Sequence, residues 1–102
     1  MIDLLESNRQ KIESLCRRYE VERMEVFGSA ARGDFDLRTS DVDFLITFKD
    51  LGWRGSFKRY IGLKLDLEEL LGRPVDLVEL QAATNPYFIE TATKHRQLLY
   101  AA

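Results

Sequence analysis

The stretch Phe27-Gly28-Ser29-Ala30-Ala31-Arg32-Gly33-Asp34, followed by Ser40-Asp41-Val42-Asp43-Phe44-Leu45-Ile46, decides how this chain is read. Its first part puts a glycine and a hydroxyl side chain at the end of an apolar run. Its second part sets two aspartates into a segment of Val, Phe, Leu and Ile that has the composition of a strand. Side chains alternate along a strand, so Asp41 and Asp43 share one face, while Val42 and Phe44 anchor the other in a core. The two aspartate Cα atoms are expected about 6–7 Å apart at ~3.3 Å of rise per residue. Anions this close repel each other and resist burial, so a metal-free site is expected to show a raised pKa or to bind a cation avidly. The plainer reading is a pair of solvated acids near the start of a strand.

Two carboxylates at this spacing suit a hard divalent cation, and Mg²⁺ commonly takes one or two carboxylates together with phosphate oxygens. Gly28 permits a tight turn and close backbone approach to a phosphate. Ser29 supplies a hydroxyl and is expected to N-cap a short helix, Ser29 to Arg32, whose free N–H groups favour anions. Gly33 is the expected stop. Arg32 either reaches a phosphate or forms a surface ion pair. Asp76, in Pro74-Val75-Asp76-Leu77-Val78, is a third acid among apolar neighbours. It completes a two-ion site with Asp41 and Asp43, polarises an attacking hydroxyl, or forms a structural salt bridge with Arg32 or Arg73. Lys58, Arg59 and Lys64 could bind a triphosphate tail, although a solvated helix face explains them as well.

Outward from this stretch, Ile2, Leu4, Leu5, Ile12, Leu15, Cys16 and Tyr19 recur at helical spacing and predict an amphipathic helix over 2–19. Val21 to Phe27 reads as a first strand, residues 34–40 as a loop and Asp41 to Phe48 as a central strand. A loop with Gly52 and Gly55 precedes a helix over Phe57 to Leu71, whose apolar stripe is Phe57, Tyr60, Ile61, Leu65, Leu67, Leu70 and Leu71. Gly72 and Pro74 stop it. Val75 to Leu80 is a third strand. Asn85 and Pro86 open a last helix running to about Lys94, and Gln97 to Tyr100 forms a short terminal strand. The order α-β-α-β-α-β-α, with that strand added, predicts an α/β (α+β) fold in which about four helices pack on a small sheet. Trp53, Phe57 and Tyr60 flank the junction between loop and helix and read as core, or else as exposed contacts for a partner.

At 102 residues the chain is expected to form one small domain over residues 1–102. An apolar fraction of 45% provides for a core and argues against disorder. A net charge of −2 supplies no basic field, so direct nucleic-acid binding is not expected. The lone cysteine, Cys16, cannot form an internal disulfide and falls on the apolar side of the first helix, which makes it a packing residue of a reducing compartment. His95 reads as a surface or partner-facing residue. No signal-peptide pattern and no apolar run of membrane-spanning length is present, so a soluble cytoplasmic protein is expected.

Taken together, Gly28-Ser29, Ser40-Asp41-Val42-Asp43 and Val75-Asp76-Leu77-Val78 resemble the minimal nucleotidyltransferase (MNT) family of the polymerase β-like superfamily. Leu71-Gly72-Arg73-Pro74, Asn85-Pro86-Tyr87-Phe88 and Leu99-Tyr100-Ala101-Ala102 extend the resemblance over nearly the whole chain. Eleven residues separate Ser29 from Asp41, one more than many members carry, and the loop 34–39 is expected to absorb the extra residue. The resemblance implies a nucleotidyltransferase fold with a small mixed sheet, two aspartates on one strand and the third on its neighbour. It implies that Asp41, Asp43 and Asp76 bind Mg²⁺, as two ions, and that Gly28, Ser29 and Arg32 hold the phosphates of ATP. It further implies an MntA-type antitoxin that transfers AMP from ATP to a tyrosine of a HEPN-domain RNase toxin and releases pyrophosphate. An antitoxin that acts by binding alone, or a transferase for a small molecule such as an aminoglycoside, are the competing readings. The shortness of the chain favours a protein acceptor, because transferases for RNA or antibiotics usually add a further acceptor-binding domain.

Overall fold

The computed structural model describes residues 1–80, 85–87, 90 and 94–102. In chain order the elements are α1 (Asp3–Ser7), α2 (Arg9–Arg18), β1 (Val21–Phe27), α3 (Ser29–Arg32), β2 (Val42–Phe48), α4 (Ser56–Leu71), β3 (Val75–Glu79) and β4 (Gln97–Ala101). The strands form one mixed sheet in the order β3-β2-β1-β4. β1 runs antiparallel to both β2 and β4, whereas β2 and β3 are parallel. The mixed sheet and flanking helices are those the sequence leads one to expect. The expected helix from Pro86 to Lys94 lies largely outside the described residues. Within it, Pro86, Tyr87 and Glu90 are helical, and the Tyr87 amide donates to Asn85 Oδ1 at 3.0 Å.

The single helix expected over 2–19 is two helices. Asn8 leaves helical geometry, with φ −109° and ψ 9°. Ser7 Oγ donates to the Asp3 carbonyl at 2.8 Å and Asn8 Nδ2 donates to the Leu4 carbonyl at 2.8 Å. These side-chain bonds compete with the backbone ladder and end α1. The apolar spacing survives the break, since Leu5, Ile12 and Cys16 are all fully buried. Periodicity alone therefore could not reveal it.

One sheet face packs on the helices. Met24 and Val26 of β1, Val42, Phe44 and Ile46 of β2, and Val75 and Leu77 of β3 form the core with Leu5, Ile12, Cys16, Leu63, Leu67 and Leu71. Burial pushes the Cys16 thiol up to about 12, which removes it as a nucleophile and confirms its packing role. Leu63, the first residue of the α4 core stripe, falls outside the expected stripe, whereas Phe57 and Leu65 of that expected stripe face solvent. Beside the stripe of Leu63, Leu67 and Leu71, α4 carries a polar row at the same spacing. Tyr60 Oη donates to the Leu77 carbonyl at 2.6 Å, Lys64 Nζ to the Val75 carbonyl at 2.7 Å, and the Val75 amide to Glu68 Oε2 at 3.0 Å. Among the described residues, no helix is long and apolar enough to cross a membrane.

Candidate active site

The site is built where β1 ends and β2 begins. Antiparallel register sets Phe27 opposite Asp43, and parallel register sets Asp43 beside Asp76. The carboxylates of β2 and β3 thus stand side by side on the sheet face away from the helical core. Asp41 lies one residue before β2, outside the ladder, at the same end and exposed. Val42 and Phe44 are fully buried, as their place on the opposite face requires.

Directly after β1 the chain turns sharply at Gly28, whose φ of 68° and ψ of −150° are open to glycine alone. A Cβ at this position would stand 2.1 Å from Asp43 Oδ2. Gly28 is thus required twice, by its own backbone and by the carboxylate that occupies the space of its missing side chain. Gly28, not Ser29, is the N-cap of α3, and no side chain caps the helix. Its carbonyl accepts the amides of Ala31 at 3.1 Å and Arg32 at 3.0 Å. Ser29 becomes the first helical residue, so its hydroxyl is not consumed by an N-cap bond. Arg32 closes this turn and meets Asp34 at 3.5 Å with both side chains largely in solvent.

The Asp43 carboxyl is pushed up to about 6, first by burial, then by the charges of Asp76 and Asp41, with Arg32 pulling weakly the other way. Among the described residues, no hydrogen bond or ion pair reaches this carboxylate. Asp76 is exposed and forms no salt bridge with Arg32 or Arg73. No three acidic, His or Cys side chains among the described residues already close around a common point. The donor set nevertheless fits a hard cation: all-oxygen, anionic, and carried by two adjacent strands and the residue before one of them.

The profile of the nucleotidyltransferase domain family matches residues 9–99. The chain belongs to that family. A relative in Methanocaldococcus jannaschii, named as a candidate protein adenylyltransferase, is 34% identical over 85 residues, or 83% of each chain. The solved structure of a candidate minimal nucleotidyltransferase superposes with a TM-score of 0.77 at 35% identity, covering 94% of this nucleotidyltransferase and 95% of that chain. A toxin–antitoxin crystal structure with AMP-PNP superposes with a TM-score of 0.74 at 25% identity, over 93% of this chain and 74% of that one.

Of the basic residues of α4 in this nucleotidyltransferase, Lys58 is exposed, while Lys64 and Arg59 are engaged within the fold. Lys64 is bonded to β3 and to Glu68 at 3.4 Å. Arg59 lies over the Phe48 ring at 5.8 Å and donates to the Arg54 carbonyl at 3.2 Å, pinning the loop before α4. That loop presents Trp53 and the first turn of α4 presents Phe57, 81% and 74% exposed, so neither is core, while Tyr60 is half-buried. His95 is exposed. Sequence reading passed over Glu25, a buried carboxylate gripped by Arg23 at 3.2 Å and Arg96 at 3.1 Å. Its signal was weak: one acid between Met24 and Val26 in the first strand, with an arginine two residues before it.

Proposed function

We propose that this nucleotidyltransferase is a Mg²⁺-dependent protein adenylyltransferase of the cytoplasm. It would transfer AMP from ATP to a tyrosine of a HEPN-domain toxin and so act as an antitoxin. The observation that carries this reading is the crowding at Asp43: a half-buried carboxylate seated against Gly28, beside Asp76, with its pKa raised to about 6. A fold keeps such a group where its charge is to be used. Support for the acceptor comes from the neighbour's AMP-PNP-bound toxin–antitoxin assembly and from the adenylyltransferase relative.

In this reading Asp41, Asp43 and Asp76 hold the metal, and Gly28, Ser29 and Arg32 receive the triphosphate. Mg²⁺ held by these carboxylates would supply neutralisation of phosphate charge and stabilisation of the attacking and leaving oxygens. The Gly28 turn lets the phosphate chain approach the backbone, with the Ser29 hydroxyl and the Arg32 guanidinium beside it. The tyrosine oxygen attacks the α-phosphorus, the bond to the bridging α–β oxygen breaks, and pyrophosphate departs. Asp76, the exposed carboxylate, would either complete the metal site or accept the tyrosine proton.

Incubation of the purified chain with its HEPN partner, ATP and Mg²⁺ tests this directly. The expected result is a mass increase of one or more AMP groups on a partner tyrosine. Absence of any adduct, with full neutralisation by an Asp41→Asn/Asp43→Asn double variant, would leave binding alone as the mode of action.

A further inference from the structure

The loop 34–40 joins the phosphate-side turn to Asp41, and its anchorage comes from elsewhere in the chain. Its own bonds close residues 36–40 into a compact turn. The Asp36 carbonyl accepts the Ser40 amide at 2.8 Å and the Thr39 amide at 3.2 Å. Ser40 Oγ accepts the Asp36 amide at 2.9 Å, and Asp36 Oδ1 accepts the Arg38 amide at 2.8 Å. Phe35 packs on the hydrophobic core just ahead of this turn, and three further contacts at the turn and its flanks come from Arg73-Pro74, the dipeptide that leads into β3. The Arg73 guanidinium lies over the Phe35 ring at 5.1 Å and donates through Nη1 to the Leu37 carbonyl at 3.1 Å. On the other side of Asp41, the Val42 amide donates to the Pro74 carbonyl at 3.2 Å. Arg73 Nε is buried without an acceptor among the described residues, so the guanidinium is held by this geometry at the expense of one donor.

We propose that Arg73 is a positioning residue that clamps the loop 34–40 to the entrance of β3 and thereby fixes where Asp41 stands relative to Asp43 and Asp76. Asp41 lies outside the β ladder, so strand pairing does not place it. It hangs between two tethers, and Arg73 supplies the one that precedes it. The same dipeptide leads two residues later to Asp76. One short segment thus registers the two exposed aspartates against each other. The inference rests on the reading of Asp41 as a metal ligand, but its structural half stands without it.

The test uses Arg73→Ala and Arg73→Lys in the full chain, with Arg73→Gln as a second route should Arg73→Ala fail to fold. Hydrogen exchange of the Arg38, Thr39 and Ser40 amides is followed without nucleotide or metal, and Mn²⁺ affinity is measured by titration calorimetry. In Arg73→Ala these amides are expected to exchange about tenfold faster, as local opening of the loop becomes easier. Mn²⁺ affinity should fall about 10–100-fold, the usual cost of losing an outer partner of a metal ligand. Lysine retains the hydrogen bond but cannot lie flat over Phe35, so Arg73→Lys should fall between wild type and alanine. In the transfer assay kcat should drop while KM for ATP stays within about twofold, because Ser29 and Arg32 are untouched. Exchange and Mn²⁺ affinity both within about twofold of wild type in Arg73→Ala would overturn the proposal. Failure of AMP transfer in the wild-type chain, with Arg73 still controlling exchange and Mn²⁺ affinity, would instead strike the functional reading and leave the clamp standing.

Discussion

Glu25 and Asp43 are two withdrawn carboxylates on the same face of the same sheet, on neighbouring strands, and they are handled in opposite ways. Glu25 is almost wholly buried, yet two arginines reach its two oxygens, Arg23 at Oε1 and Arg96 at Oε2. Asp43 is less buried, but the charges of Asp76 and Asp41 act on it more strongly than that of Arg32, and its pKa rises to about 6. A buried acid with matched cations is a structural joint, stable and chemically quiet. A half-buried acid crowded by other acids is electrostatically unfavourable on its own and suited to sharing a cation with them. Burial alone would rank Glu25 as the more unusual residue, whereas the sign of the neighbouring charges singles out Asp43 as the candidate metal ligand.

The sharpest way to break this contrast is to neutralise each acid. Asp43→Asn should reduce AMP transfer by at least about 10²–10³-fold, the scale of losing one preorganised electrostatic element, while partner binding by pull-down persists. Gly28→Ala comes next. It meets both the left-handed backbone and the Asp43 carboxylate, so a loss of about 1–3 kcal/mol in urea denaturation should accompany the loss of transfer. Glu25→Gln leaves Arg23 and Arg96 facing a neutral group. A destabilisation of about 1–2 kcal/mol is expected, tempered because both arginines are partly in water, with transfer per folded molecule unchanged. If Glu25→Gln instead lost transfer at full stability, the division between joint and candidate metal ligand would fail.

The smallest effect is one of pH. A carboxyl whose folded pKa lies above its ordinary value binds its proton more tightly in the native state. Its contribution to stability is therefore fully present at acid pH and declines as pH rises from about 4 to about 6. Metal-free wild type should lose stability across that window relative to Asp43→Asn, which should be the more heat-resistant of the two at pH 7. Thermal melts at pH 4.5 and pH 7 in EDTA check the sign, and added Mg²⁺ should restore the wild type but not the variant.

The main strands were legible because alternation and turn glycines marked them, and β1 runs over Val21–Phe27 as expected. The Gly28, Asp43 and Asp76 constellation was legible because few sequences put acids into apolar strands after a Gly-Ser turn. What escaped depends on side chains meeting across distance. Nothing near Lys64 says that it bonds the Val75 carbonyl, and nothing near Arg73 says that it covers Phe35 rather than pairing with Asp76. The break at Asn8 escaped because the core stripe runs through it unaltered. Ser29 was read as a cap because its residue type fits that place, yet glycine took the position since Asp43 fills the space a side chain would need.

The polar row on α4 bears on solubility. β3 is an edge strand, and an unpaired edge is a template on which another chain can add a strand. The outward-facing groups of Val75 and the Leu77 carbonyl are already occupied by Tyr60, Lys64 and Glu68. On the far side of the sheet, Arg9 Nη1 donates to the Leu99 carbonyl of β4 at 3.3 Å. Helix α4 thus blunts the β3 rim of the sheet against strand addition, while on the β4 rim α2 occupies a single carbonyl.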